Sequence, residues 1–251
     1  MAELDTPSAA PAPLRIERVA DLPQLGSAVA AAVIERCRER QAEGGIPCVV
    51  LTGGSGGERV LRDLAAHPEL ETVDWSHVRF LWGDERWAPQ GHEDRNDRLA
   101  DDTLFARVRV DPALVHRVPA SDSGLSLDEA AAAYAEVVAN IDRIDVGLNG
   151  VGPDGHVASL FPGRDDLLRA EADTPDAIAV RNSPKPPPER VSLTFPALNR
   201  AEHVWLIAAG AGKSEAVGRI VSRSEPLLPA AHLIGTVETA LWADEAALGA
   251  A

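Results

Sequence analysis

Four short stretches of the sequence concentrate residues able to do chemistry. GVGPDGHVASLFPG (150–163) holds His156 in a glycine-rich turn, two residues after Asp154. An imidazole ionises near neutral pH, so it can accept a proton and return it, and a short acid beside it can orient the ring or tune its charge. TGGSGG (52–57) offers Gly53, Gly54 and Ser55, small residues that let backbone N–H groups approach an anion at the start of a helix; a plain tight turn reads the same way. GDER (83–86) sets Asp84 and Glu85 beside Arg86, which suits either a binding site or a solvated ion-pair cluster. NSPKPPPERVSL (182–193) is a proline-stiffened arm carrying Lys185 and Arg190, fit to present Lys185 to an anion or to act as a rigid linker.

Two nucleotide-binding patterns fail on context. Gly150, Gly152 and Gly155 have the spacing of a dinucleotide loop, but Pro162-Gly163 interrupts where the long helix of that motif must run. AAGAGKSE resembles a Walker A loop, yet its leading glycine would fall on Ile207, inside an apolar run. Lys213, at a helix start after that run, can still reach a phosphate as a point charge. Neither a nicotinamide nor another cofactor is expected. His67, His77, His92, His116, His203 and His232 show no metal-ligand spacing, so no metal is expected.

The elements that must position these residues alternate. Leu22, Leu25, Val29, Val33 and Ile34 recur at helical spacing over 21–41. Strands are expected over 46–54, 78–85, 145–152, 176–182 and 202–210, with helices over GERVLRDLAAH, RNDRLADDTLF, 126–141 and 213–223. Ser126 and Glu129 form a capping box for the third of these. Such alternation predicts an α/β fold, a single-domain Rossmann-like three-layer sandwich with a mostly parallel sheet. Ligands of such sheets bind beyond the carboxyl ends of the strands, where the four stretches fall.

At 251 residues and 45% hydrophobic, one domain over 13–251 is expected, preceded by a flexible tail over 1–12 that is rich in acid and proline. The net charge of −15 argues against nucleic acid or anionic membrane as a partner, so an anionic ligand needs a local cationic pocket. Cys37 and Cys48 are too few for a disulfide framework, and no apolar run approaches the roughly 20 residues of a membrane span. A cytoplasmic protein is expected, with the oligomeric state open and a monomer the simplest reading.

In order along the chain, LTGGSGG, WGDERWAP with Asn96 downstream, GVGPDGHVASLFPG and SPKPPPERVSLTFPALNRAEHVW resemble the 6-phosphogluconolactonases, within the wider superfamily of glucosamine-6-phosphate deaminases and ribose-5-phosphate isomerases. The likeness spans about residues 15–245; Leu148-Asn149-Gly150 and LLPAAHLIGTVETALW match the family less closely. It implies hydrolysis of 6-phospho-D-glucono-1,5-lactone by water, with His156 as proton shuttle. It places Asp154 and the acids of GDER around the sugar, and gives the charged end of the substrate to Ser55 with its glycines, Arg86 and Lys185, with Lys213 a further phosphate candidate. No G-x-S-x-G elbow suggests a serine nucleophile. Two other readings stay open: a sugar-phosphate isomerase or deaminase with Asp84 as base, and a sugar-phosphate-binding module without turnover.

Overall fold

The computed structural model describes residues 13–171, 173–224 and 227–249. The tail expected over 1–12 lies outside them. Among the described residues nine strands form, β1 (Arg15–Val19), β2 (Cys48–Leu51), β3 (Arg79–Trp82), β4 (Asp84–Arg86), β5 (Ile144–Gly150), β6 (Ala177–Val180), β7 (Arg190–Leu193), β8 (Ala201–Ala208) and β9 (Glu238–Asp244). The helices are α1 (Leu22–Ala42), α2 (Gly54–Ala66), α3 (Asn96–Asp102), α4 (Leu127–Ala139), α5 (Phe195–Leu198), α6 (Ser214–Ser222) and α7 (Glu245–Leu248). Ser126 and Glu129 make the expected capping box at the start of α4.

Six strands build a parallel sheet in the order β1-β9-β8-β5-β2-β3. Its faces are sorted by the period of two along each strand. On β8, Trp205 and Ile207 face a core shared with α1 and α2, while Val204, Leu206 and Ala208 face a core shared with α4 and α6. Both faces are therefore buried along the central strands β2, β5 and β8, which is why those strands read as near-continuous apolar runs. Among the described residues no helix is long and apolar enough to cross a membrane.

The structure corrects the expected strand over 78–85. It is two strands in two sheets, because β4 joins β7 and β6 in a small antiparallel sheet. Gly83 is the joint: its N–H donates to Leu51 of the parallel sheet at 2.9 Å, and its carbonyl accepts from Leu193 of the small sheet at 2.8 Å. Asp84 and Arg86 are thereby carried out of the main sheet and over its edge. Three strands fall outside the expected set. β7 continues the proline arm, and β1 and β9 pair with each other at one side of the parallel sheet.

Candidate active site

Beyond the carboxyl ends of β2, β5 and β8 lies a cleft of about 420 Å³, walled by the turn after β2, by β4, by the turn after β5, by the proline arm and by the turn before α6. Four cations line it, Arg86, Lys185, Arg190 and Lys213, against a single acid, Asp84. In a chain of net charge −15 this is the local cationic pocket that an anionic ligand requires.

The turn after β5 is folded around one side chain. His156 accepts at its carbonyl from Gly152 N–H at 2.9 Å, and Gly155, at φ +78°, closes the turn. The ring then lies back over Gly152, where an added Cβ would sit 2.0 Å from both Cε1 and Nδ1. Gly152 is glycine because the imidazole occupies the space of its side chain. Asp154 stands behind the ring, its Oδ1 2.5 Å from Nδ1, and does not itself line the cleft. With Nδ1–H donated to Asp154, the proton-accepting lone pair belongs to Nε2. The Phe161 ring packs 4.9 Å from the imidazole. Burial pushes the His156 imidazolium below its ordinary value, against the opposing pull of Asp154, and the Lys185 ammonium adds to the lowering. Partial burial disfavours the charged form of Asp154, but its bond to His156 and the neighbouring positive charges outweigh that and hold its carboxyl low.

Lys185 places its Nζ 3.2 Å from His156 Nδ1 and 3.5 Å from Asp154 Oδ1. The arm that carries it is gripped by Arg190, which is 4% exposed and donates to the carbonyls of Lys185, Pro186 and Pro187 at 3.0 to 3.1 Å. The same guanidinium lies 3.5 Å from Asp84 Oδ2. That carboxylate also accepts from Ser159 Oγ at 2.6 Å and from Asn96 Nδ2 at 3.3 Å. Asn96 does not line the cleft. It packs beneath the turn after β2, where a Cβ on Gly53 would lie 1.9 Å from its Oδ1, so its part is to support Asp84 and Gly53 from below.

Glu85 departs from the expectation that both acids of GDER surround the sugar. It alternates to the far side of β4, is 1% exposed, and accepts the backbone N–H groups of Arg86, Asn96 and Asp97. Burial pushes its carboxyl up to about 7, despite the Arg95 guanidinium 3.8 Å away. Arg86 turns the other way. It donates to the carbonyl of Asp94, but its Nε is buried without a partner, an orphaned donor beside the cleft. The helix expected from residue 57 onward begins at Gly54, so Gly54 and Ser55 belong to the first turn of α2, whose free N–H groups border the cleft. Gly54 has φ +70°, a conformation that favours glycine. Burial, then the charge of Lys185, lowers the Lys213 ammonium from its ordinary value.

Residues 20–242 match the family described as glucosamine-6-phosphate isomerases/6-phosphogluconolactonase. The chain belongs to this family. It is 42% identical over 235 residues, 89% of each chain, to a 6-phosphogluconolactonase of Streptomyces coelicolor. It is 39% identical over 229 residues, 87% of each chain, to one of Mycobacterium tuberculosis. Its fold is similar to that of a 6-phosphogluconolactonase from Thermotoga maritima, with a TM-score of 0.80 and 27% identity over 92% of this chain and all of the other. A monomeric glucosamine-6-phosphate deaminase shares the fold at a TM-score of 0.78 with 17% identity, covering 94% of this chain and 99% of the other.

Of the ten site residues expected from the sequence, eight line the cleft, Asp154 stands behind His156, and Asn96 lies in the layer beneath. Sequence reading gave no site role to Arg190 or Ser159. Arg190 carried a signal, a basic residue opening an apolar strand after a proline run. Ser159 carried none. Among the described residues no group of three or more His, Cys, Asp or Glu is placed to hold a metal ion.

Proposed function

We propose that the chain hydrolyses 6-phospho-D-glucono-1,5-lactone to 6-phospho-D-gluconate, the lactonase step of the oxidative pentose phosphate pathway. The observation that carries this reading is the Asp154–His156 pair, set over Gly152 and bordering a cleft with four cationic side chains. The phosphate is held between the first turn of α2, with Gly53, Gly54 and Ser55, and the cations Arg86, Lys185 and Lys213. A helix N-terminus and a buried orphan Nε on Arg86 suit a dianion. The phosphate is borne on a carbon that takes no part in the ester, so binding energy at that end orients the lactone carbonyl toward His156.

Nε2 of neutral His156 takes a proton from water as the water oxygen bonds to the lactone carbonyl carbon. The carbonyl becomes a tetrahedral oxyanion, favoured by the surrounding positive charge. Collapse breaks the bond from carbon to ring oxygen, and the imidazolium returns its proton to that oxygen, leaving a hydroxyl and a carboxylic acid. Asp154 keeps the tautomer and steadies the transient imidazolium.

An isomerase with Asp84 as base is less well supported, because that carboxylate is engaged by Ser159, Arg190 and Asn96. Two buried free thiols, Cys37 and Cys48, suit a reducing cytoplasm. The test is consumption of freshly generated lactone at pH 7 by wild type, His156→Ala and a no-enzyme blank, since the ester also hydrolyses unaided. Wild type should outrun the blank and the variant should fall back toward it through kcat. Wild type that only tracks the blank while binding sugar phosphates would move the assignment to a binding module.

A further inference from the structure

The contact between Lys185 and the histidine is more than a phosphate handle requires. An ammonium meant only for the substrate gains nothing from standing 3.2 Å from Nδ1 of the proton-transferring ring and 3.5 Å from the acid that orients it. It is also not placed by chance. Arg190, nearly fully buried, binds three successive carbonyls of the arm from Lys185 to Pro187, and Ser183 Oγ both donates to the Lys185 carbonyl and accepts from its N–H. The backbone from which the ammonium hangs is thus fixed on both sides.

We propose that Lys185 is a positioning and charge-tuning residue for His156, keeping the imidazole neutral in the resting protein so that it is ready to act as a base at neutral pH. The proposal deepens the lactonase reading and rests on His156 being its base. Asp154, on the same turn, pulls the ring toward its charged form, and so at longer range does Asp84 on β4. Phe161 offers only an apolar ring, and the Arg190 guanidinium lies over that ring, 6.0 Å from its centroid. Against two carboxylates, burial and the Lys185 charge are what favour the neutral form. A single acid beside a buried histidine commonly raises its pKa; here a cation shares that acid and blunts the effect.

Lys185 side-chain exposure is 39%, so its replacement by methionine keeps the stem and should not compromise folding. The experiment follows the His156 ring resonances by NMR through a pH titration of the full chain, with the His156→Ala spectrum assigning them among the seven histidines. Lys185→Met should raise the His156 pKa by about one unit or more, the effect of a unit charge at this distance even under strong screening. Lys185→Arg, which keeps the charge, should hold it near the wild-type value. A pKa unmoved by Lys185→Met, or raised equally by Lys185→Arg, overturns the proposal. The titration needs no turnover, so it stands or fails separately from the lactonase assay. In that assay the acid limb of kcat/KM, which reports the free enzyme, should move upward with the NMR value in Lys185→Met.

Discussion

Replacing Gly152 by alanine asks whether the position of His156, and not only its presence, carries the reaction. Gly152 is not among the residues of positive φ, so the alanine backbone is allowed there. The whole cost falls on what the new methyl meets. It would sit 2.0 Å from Cε1 and Nδ1 of His156 and 2.7 Å from Asp154 Oδ1, where ordinary contact begins at 3.4 Å. The imidazole must retreat by more than about 1 Å, a displacement that costs roughly 100-fold in rate when a reacting group is misplaced. The clash moves the ring and leaves the proposed phosphate contacts of Arg86 and the first turn of α2 in place, so the loss should appear in kcat with KM little changed. Overpacking should also lower stability by about 1–3 kcal/mol. In a His156→Ala background the ring is gone, and most of that penalty should vanish, a coupling measurable by urea midpoints on the four proteins of the cycle. Blank-subtracted lactone consumption at pH 7 supplies the rates. Wild-type kcat in Gly152→Ala, or an equal stability loss with and without the ring, would refute the reasoning.

Two further outcomes are expected. Arg86→Ala should raise KM about 10- to 100-fold, as loss of a charged hydrogen bond of ~1.5–3 kcal/mol would, with kcat largely kept; steady-state kinetics decide it, and an effect confined to kcat counts against the assignment. Glu85, its carboxyl raised by burial from 4.5 to about 7, gives a stability term that is full below 4.5 and declines as pH rises to 7, because the unfolded chain releases that proton first. Glu85→Gln should remove this part of the slope in urea midpoints measured across that range, whereas an unchanged slope would mean that Glu85 is ionised throughout.

Most of the residues that meet in the cleft were legible because they follow apolar runs that read as strands, and because several such loops carry glycine, proline or histidine in family order, although each loop alone also suits a plain turn or linker. Gly152 is a case in point: its place in a failed dinucleotide pattern is explained by a ring lying against it. The strand positions were harder. Residues 78–85 read as one run because Gly83 is the only sign of a change of sheet, and a single glycine does not tell a joint from a turn. β1 has three charged residues in five, two of them adjacent, at a half-exposed sheet edge, so its pattern is weak until β9 is beside it. Glu85 and Arg86 are adjacent letters with opposite fates, and only the pairing of β4 with β7 decides which one faces the cleft.

The concentration of positive charge in the cleft also bears on how a reaction cycle ends. Under the proposed hydrolysis an uncharged ester group becomes a carboxylate, so the product leaves with one more negative charge than the substrate brought. Arg86, Lys185, Arg190 and Lys213 therefore hold the product at least as firmly as the molecule they first captured. The acidic remainder of the chain, net −15 overall, opposes that grip at longer range. Departure of product is then a contest between near and distant fields, and dissolved salt, which screens the distant one first, becomes a lever on turnover as well as on capture.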